Sequence, residues 1–171
     1  MVIIKICIFG FIVVSVKIMF ILFFQEEDIK LYKMKETINF VDYLRIYSCT
    51  MKMSLNDILE KYNFKYTNVK RVFKHLLLEL QNEEKSIDNL YEYEDYIKKE
   101  LNSPKEFNEI ITQISEYYGV SLSDVLNKKL LYTKNELEKF LKGYENTYKE
   151  RKSLLNKLSL LVGCLIAIVL L

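Results

Sequence analysis

The final stretch of this chain, Ser121 to Leu171, limits its fold more than any other feature. Leu122, Leu126, Leu130, Thr133, Leu137, Phe140, Tyr144 and Tyr148 recur at spacings of three and four, with Lys, Glu and Asn between them. That period lays them along one stripe of an amphipathic helix. Past Lys157 the residues are apolar on every side, from Leu158 to Leu171, and no proline or turn cluster separates the two halves. The pattern predicts one long helix, capped by Ser121, that begins in water and finishes in lipid. The rest of the chain is then expected to pack against its wet half.

The other end mirrors this. Met1 to Phe24 is apolar apart from Lys5 and Lys17. Ile6 to Phe24 is 19 residues, about 28 Å of helix, close to a hydrocarbon core of about 30 Å. A cleaved signal peptide needs small residues at its cleavage site, and Phe23-Phe24-Gln25-Glu26 stand there instead. An uncleaved anchor is expected, with Lys17 snorkelling toward the nearer interface. The last span is shorter. Leu158 to Leu171 is 14 residues, about 21 Å, so Ser153 is taken as its start, with Lys157 reaching back to the interface.

Half of the 171 residues are hydrophobic and 28% are charged, which coexist because the apolar residues concentrate at the ends. Four glycines and one proline favour helices with short connections over a turn-rich β fold. A net charge of +2 with Lys and Glu interspersed does not indicate a large basic nucleic-acid surface. Cys7, Cys49 and Cys164 have no CxxC spacing and no neighbouring His, so neither zinc nor any cofactor is expected.

Between the ends the helical period continues. Ile29, Tyr32, Thr37, Phe40, Val41, Leu44 and Tyr47 extend the first helix to Cys49. Ser54 reads as an N-cap of a short helix closed by Asn63, and Thr67 as the cap of the next, whose stripe is Val69, Val72, Phe73, Leu76, Leu77 and Leu80. A polar break at Gln81 to Lys85 precedes a helix over Asp88 to Leu101. Ser103-Pro104-Lys105-Glu106 reads as N-cap, first helical residue and capping Glu. Phe107, Ile110, Ile111 and Ile114 follow, and Gly119 ends that helix. Leu76, Leu77, Leu80, Phe107, Ile111, Leu137 and Phe140 are expected in the core.

Little here carries chemistry. His75 is the single histidine and reads as a boundary residue on a helix. No phosphate-loop, dinucleotide, nucleophile-elbow or zinc-protease motif is present, and no catalytic residue is expected. Glu83, Glu84, Glu92, Glu94 and Asp95, interleaved with Tyr91, Tyr93 and Tyr96, read as a solvated face that also suits protein docking. In the last span Ser159, Gly163 and Ala167 place small side chains on one face, the arrangement that lets membrane helices approach closely. Either the first span or another membrane subunit is the partner.

Ile46-Tyr47-Ser48-Cys49-Thr50, Tyr118-Gly119 followed by Asp124, and Leu158 to Leu171 with Gly163 in place resemble the stage III sporulation protein AB family, in the same order along the chain. Where that family usually has Pro-Leu after the Thr, this chain has Met51-Lys52. The resemblance implies an all-α protein of endospore-forming bacteria: an antiparallel helical bundle over residues 25–152 between transmembrane segments at 1–24 and 153–171. It implies a soluble part similar to the cytoplasmic domain of type II secretion F proteins. It also implies a non-enzymatic platform in the assembly linking mother cell and forespore, whose partners are the membrane, other subunits and a secretion-type ATPase, with homo-oligomers as a further expectation. A membrane-tethered signalling or sensor module is the alternative. Lys30, Lys33, Lys35, Lys149, Arg151, Lys152 and Lys157 all flank the spans on the middle-domain side, against Lys5 on the other, so the bundle is expected in the cytoplasm, which the resemblance implies is that of the mother cell.

Overall fold

The computed structural model describes the backbone of residues 2–81, 87–119 and 122–170, and the side chains of 8–80, 91–119 and 122–169. Six helices and, among the described residues, no strands make the fold all-α. They are α1 (Val2–Cys49), α2 (Leu55–Lys61), α3 (Thr67–Gln81), α4 (Ile87–Leu101), α5 (Lys105–Tyr117) and α6 (Ser123–Leu170). The chain forms two compact units, Lys30–Lys142 and the paired ends Met1–Ile29 with Gly143–Leu171.

In the Lys30–Lys142 unit, α1 supplies the centre of the core. Phe40 is fully buried, and the rings of Phe73, Phe64 and Tyr62 lie 4.4, 4.9 and 5.1 Å from it. One turn earlier, Glu36 is buried at 6% exposure. Its carboxylate accepts the backbone N–H groups of Lys65 and Tyr66 at 2.5 and 2.9 Å. These amides lead into the N-terminus of α3, where the helix dipole favours an anion. A charge inside the fold is tolerated here because it is hydrogen-bonded. The buried face of α1 is therefore wider than its simple stripe. Leu31, Met34 and Ile38 join Thr37, Phe40, Val41 and Leu44 in the core, whereas Ile29 and Tyr32 are exposed.

The remaining helices close around that centre. Leu76, Phe107, Ile111 and Leu137 are fully buried, and Leu77, Leu80 and Phe140 are half-buried. Tyr93 is buried with its hydroxyl on the Val72 carbonyl, and burial raises its pKa above the ordinary tyrosine value. Tyr117 and Thr133 share a buried hydroxyl contact of 2.6 Å between α5 and α6. Burial outweighs that bond and pushes Tyr117 up to about 12. Arg45, held by Asp42, reaches Asn127 at 3.1 Å, and Lys134 lies 3.4 Å from Asp42, tying α1 to α6.

Several helix ends fall where the sequence signals put them and others shift. Ser54 caps α2, its hydroxyl accepting the Asp57 N–H. That helix ends at Lys61 with Tyr62 as its cap, before Asn63. Thr67 is the first residue of α3, not its cap. Pro104, whose ring has no acceptor, occupies the N-cap of α5; Ser103 lies one residue before it, and its hydroxyl donates to the buried Asn108 side chain, which in turn donates to the Ser103 carbonyl. Asn102, in the left-handed region at φ 54, turns the chain out of α4. Gly119, at φ 84, follows α5. Ser121 and the break at residues 82–86 lie outside the described residues. Leu122 is 81% exposed, so the buried stripe of α6 begins at Leu126.

Within the other unit α1 and α6 run antiparallel, with Val13 opposite Gly163 and Phe24 opposite Tyr148. The outward side chains are apolar, among them Phe11, Met19, Leu22, Leu161, Leu165 and Val169. Only 6% of the most apolar 18-residue window of α1 is buried, and 17% of that of α6. A core helix of a water-soluble domain buries most of such a window. Both helices are long and apolar enough to cross a membrane.

Leu137→Ala should lower unfolding stability by about 2–5 kcal/mol, and Glu36→Ala by about 1–3 kcal/mol through the unmet amides. Leu78→Ala, at a half-exposed position, should stay within about 0.5 kcal/mol. Denaturant titration of the three variants checks this order.

Candidate functional site

The most organised polar chemistry in the paired-end unit sits where the apolar surface of α1 stops. Asp28, on the turn after Phe24, receives Lys152 Nζ at 3.0 and 2.7 Å on its two oxygens. It also receives the Tyr148 hydroxyl at 2.7 Å. Lys152 lies 5.7 and 5.2 Å from the ring centres of Phe24 and Tyr148, which pack edge to face. One turn along, the Tyr144 hydroxyl donates to Glu27 at 2.9 Å. Helical spacing explains the set. Tyr144, Tyr148 and Lys152 lie four apart on one face of α6, and Phe24, Glu27 and Asp28 lie within one turn on one face of α1.

The electrostatics follow from the geometry. Burial works against ionisation of Asp28, but the Lys152 and Tyr148 bonds and the Lys152 charge outweigh it and hold the carboxyl below its ordinary value. The Asp28 bond, against desolvation, holds Lys152 above its ordinary value.

The small residues lie further along the same pair. Ser159, Gly163 and Ala167 are all buried. A Cβ on Gly163 would sit 3.3 Å from the Val13 Cα, so the α1 backbone approaches as closely as glycine allows. The Ser159 hydroxyl donates to the Asn156 carbonyl at 2.8 Å, which satisfies it locally. Gly10 has open space around it, and Lys17 is exposed with no partner among the described residues.

Other sequence candidates resolve into packing. His75 lies against the Tyr96 and Tyr93 rings at 4.3 and 5.7 Å, with Glu79 at 3.8 Å from Nδ1. This takes Tyr93 and Tyr96 out of the acidic face, leaving Tyr91, Glu92 and Asp95 exposed; Glu83 and Glu84 lie outside the described residues. Cys49 and Cys164 are free, half-buried thiols, and the Cys7 side chain lies outside the described residues. Among the described residues no group of three or more His, Cys, Asp or Glu is placed to hold a metal.

The family model for stage III sporulation protein AB matches residues 5–171, nearly the whole length. The chain belongs to that family. Membership assigns it a role in sporulation and covers both compact units in a single match. No curated protein and no solved structure matches it. Within this family member, the Asp28 cluster is the part that sequence reasoning missed. The lysines flanking the apolar ends were visible, but Asp28 and Lys152 are 124 residues apart and their pairing has no local signal.

The sign of the pH dependence is fixed by the two shifts. The Asp28 contribution is present above the ordinary carboxyl value of 3.8 and is lost as pH falls through its lowered value. The Lys152 contribution is present below 10.5 and is lost as pH rises through its raised value. Thermal unfolding in detergent should show wild type slightly above Asp28→Asn from about pH 5 to 9, with the gap closing below about pH 4. At neutral pH, Gly163→Leu should lower the midpoint, and Gly10→Leu should not.

Proposed function

We propose that this sporulation protein is a non-enzymatic membrane platform. In this reading the paired ends of α1 and α6 are transmembrane segments, and the Lys30–Lys142 unit is a cytoplasmic docking domain. The observation that carries it is the joining, in the same two helices, of an apolar, outward-facing pair of ends and a unit with its own buried core. Ser159, Gly163 and Ala167 act as the close-packing face between spans. The clamp around Asp28 holds the pair at the water boundary.

The charge pattern supports the orientation. Lys30, Lys33 and Lys35 follow the first span, and Lys149, Arg151, Lys152 and Lys157 flank the second on the same side. Positive flanks stay in the cytoplasm. In a family whose members act in sporulation, the compartment is the mother cell and the membrane is the one facing the forespore. The docked partner is a secretion-type ATPase of the same assembly, on a bundle similar in plan to type II secretion F domains. The fold offers a helical scaffold, which suits holding partners.

Two measurements test this. With Cys7, Cys49 and Cys164 replaced, a Lys98→Cys variant in sealed protoplasts should react with an impermeant thiol reagent only after permeabilisation. Labelling of intact protoplasts would reverse the topology. The detergent-solubilised full chain should co-purify with the secretion-type ATPase encoded beside it. A membrane-integrated chain that does not retain the ATPase would end the platform reading.

A further inference from the structure

We propose that a cleft between α1 and α6, beside the Asp28 clamp, binds the head group of an ethanolamine phospholipid. The inference rests on the reading that the apolar ends of these helices lie in a bilayer. The cleft encloses about 70 Å³, room for roughly five water-sized groups. It lies at the edge of the apolar surface, where a phospholipid carries its phosphate.

Its walls divide by chemistry. On one side is the Glu27 carboxylate, already oriented by the Tyr144 hydroxyl at 2.9 Å. Beside it are the Phe24 and Tyr148 rings, which carry the Lys152 ammonium at 5.7 and 5.2 Å. An anion next to aromatic faces is an environment for a second ammonium. Arg151 also lines the cleft, is exposed, and makes no hydrogen bond or ion pair with any described residue. Lys152 is neutralised by Asp28, so Arg151 is the cation with charge to spare. A guanidinium matches phosphate oxygens with two parallel N–H bonds. Phe23, 62% exposed, continues from the cleft onto the apolar surface where acyl chains run.

An anion, a cation and an apolar exit together complement a zwitterionic phospholipid. The ethanolammonium arm, an oxygen, two carbons and a nitrogen, suits the space, and its N–H groups can bond Glu27. Choline is bulkier at nitrogen and has no N–H to give. A glycerol head brings no cation, and its phosphate leaves a net negative charge facing Glu27. Glu27 thus selects the head, and Arg151 holds the phosphate common to all three.

The test uses the full chain. It is first floated with phosphatidylcholine vesicles, then delipidated in detergent. It is offered equal amounts of phosphatidylethanolamine, phosphatidylglycerol and phosphatidylcholine with identical acyl chains, and retained lipid is counted by native mass spectrometry. Wild type should retain the ethanolamine lipid roughly threefold over the others, the scale of one solvent-accessible charge pair. Glu27→Gln should abolish the preference over phosphatidylglycerol. Arg151→Gln, at an exposed position that leaves folding intact, should lower retention of all three. Lys149→Gln, outside the cleft, should change nothing. Equal retention of the three lipids by wild type, or an unchanged preference in Glu27→Gln, would overturn the proposal. Tighter binding of free phosphoethanolamine than of the lipid itself would also overturn it, reassigning the cleft to a soluble ligand. A chain that does not float with vesicles would overturn both this and the membrane reading, whereas one that floats without lipid preference would overturn this alone.

Discussion

The paired ends of α1 and α6 cannot cover their own apolar surface. Their shared seam is one helix face wide, closed by Gly163 against Val13 and by the buried Ser159 and Ala167. Phe11, Met19, Leu165 and Val169 remain outside it. In water that surface would drive association with anything apolar. In lipid it costs nothing, but lipid also removes the hydrophobic reason for the two helices to pair. What remains is close packing along the small-residue face and directional polar bonds. This explains why the strongest polar contacts of the pair, Asp28 with Lys152 and Tyr148 and Glu27 with Tyr144, gather at one level. They sit just past the apolar stretch, where charges can still be partly hydrated.

The other unit solves a different problem with the same helix. There α1 places Glu36 and Phe40 four residues apart, so both point to the same side. Phe40 gathers the aromatic rings of the α2–α3 connection, and Glu36 ties the backbone of that connection down. The tie adds to the packing of α2, whose seven residues are too few to form a stable helix in isolation and which buries Leu55, Ile58 and Leu59. Lys33 adds a third hold, donating to the Glu100 carbonyl at the end of α4. Burial, opposed by the Glu100 charge, lowers its pKa from the ordinary lysine value. Polar side chains on α1 thus fix the ends of its neighbours, and apolar ones fill the space between them.

How much of this was legible in the sequence depended on whether the cause was local. The apolar ends, the Ser54 cap and the stripes of α3, α5 and most of α6 were readable, because helical period and capping act over a few residues. The face of α1 was read too narrowly, since a helix packed on several sides buries Leu31, Met34 and Ile38 as well as its main stripe. Glu36 has no signature in the sequence, because its partners are two backbone amides. Ser103 looked like a cap because nothing local shows that Pro104 takes that place and that the Ser103 hydroxyl donates to Asn108. The Asp28 cluster stayed hidden for a similar reason. Each of its residues is ordinary beside a membrane, and only their meeting is informative.

That meeting also has an order in time. Phe24 and Tyr148 are separated by 124 residues. At a synthesis rate of about 5–20 residues per second, α6 reaches its partner roughly 6–25 seconds after α1 has left the ribosome. For that interval the first apolar segment is without its partner. Its Val13 face is then uncovered and its Asp28 carboxylate has neither ammonium nor phenol to meet. A newly made chain therefore passes through a stage in which the Val13 backbone surface and the Asp28 acid are both without their α6 partners. Completion of α6 supplies both at once.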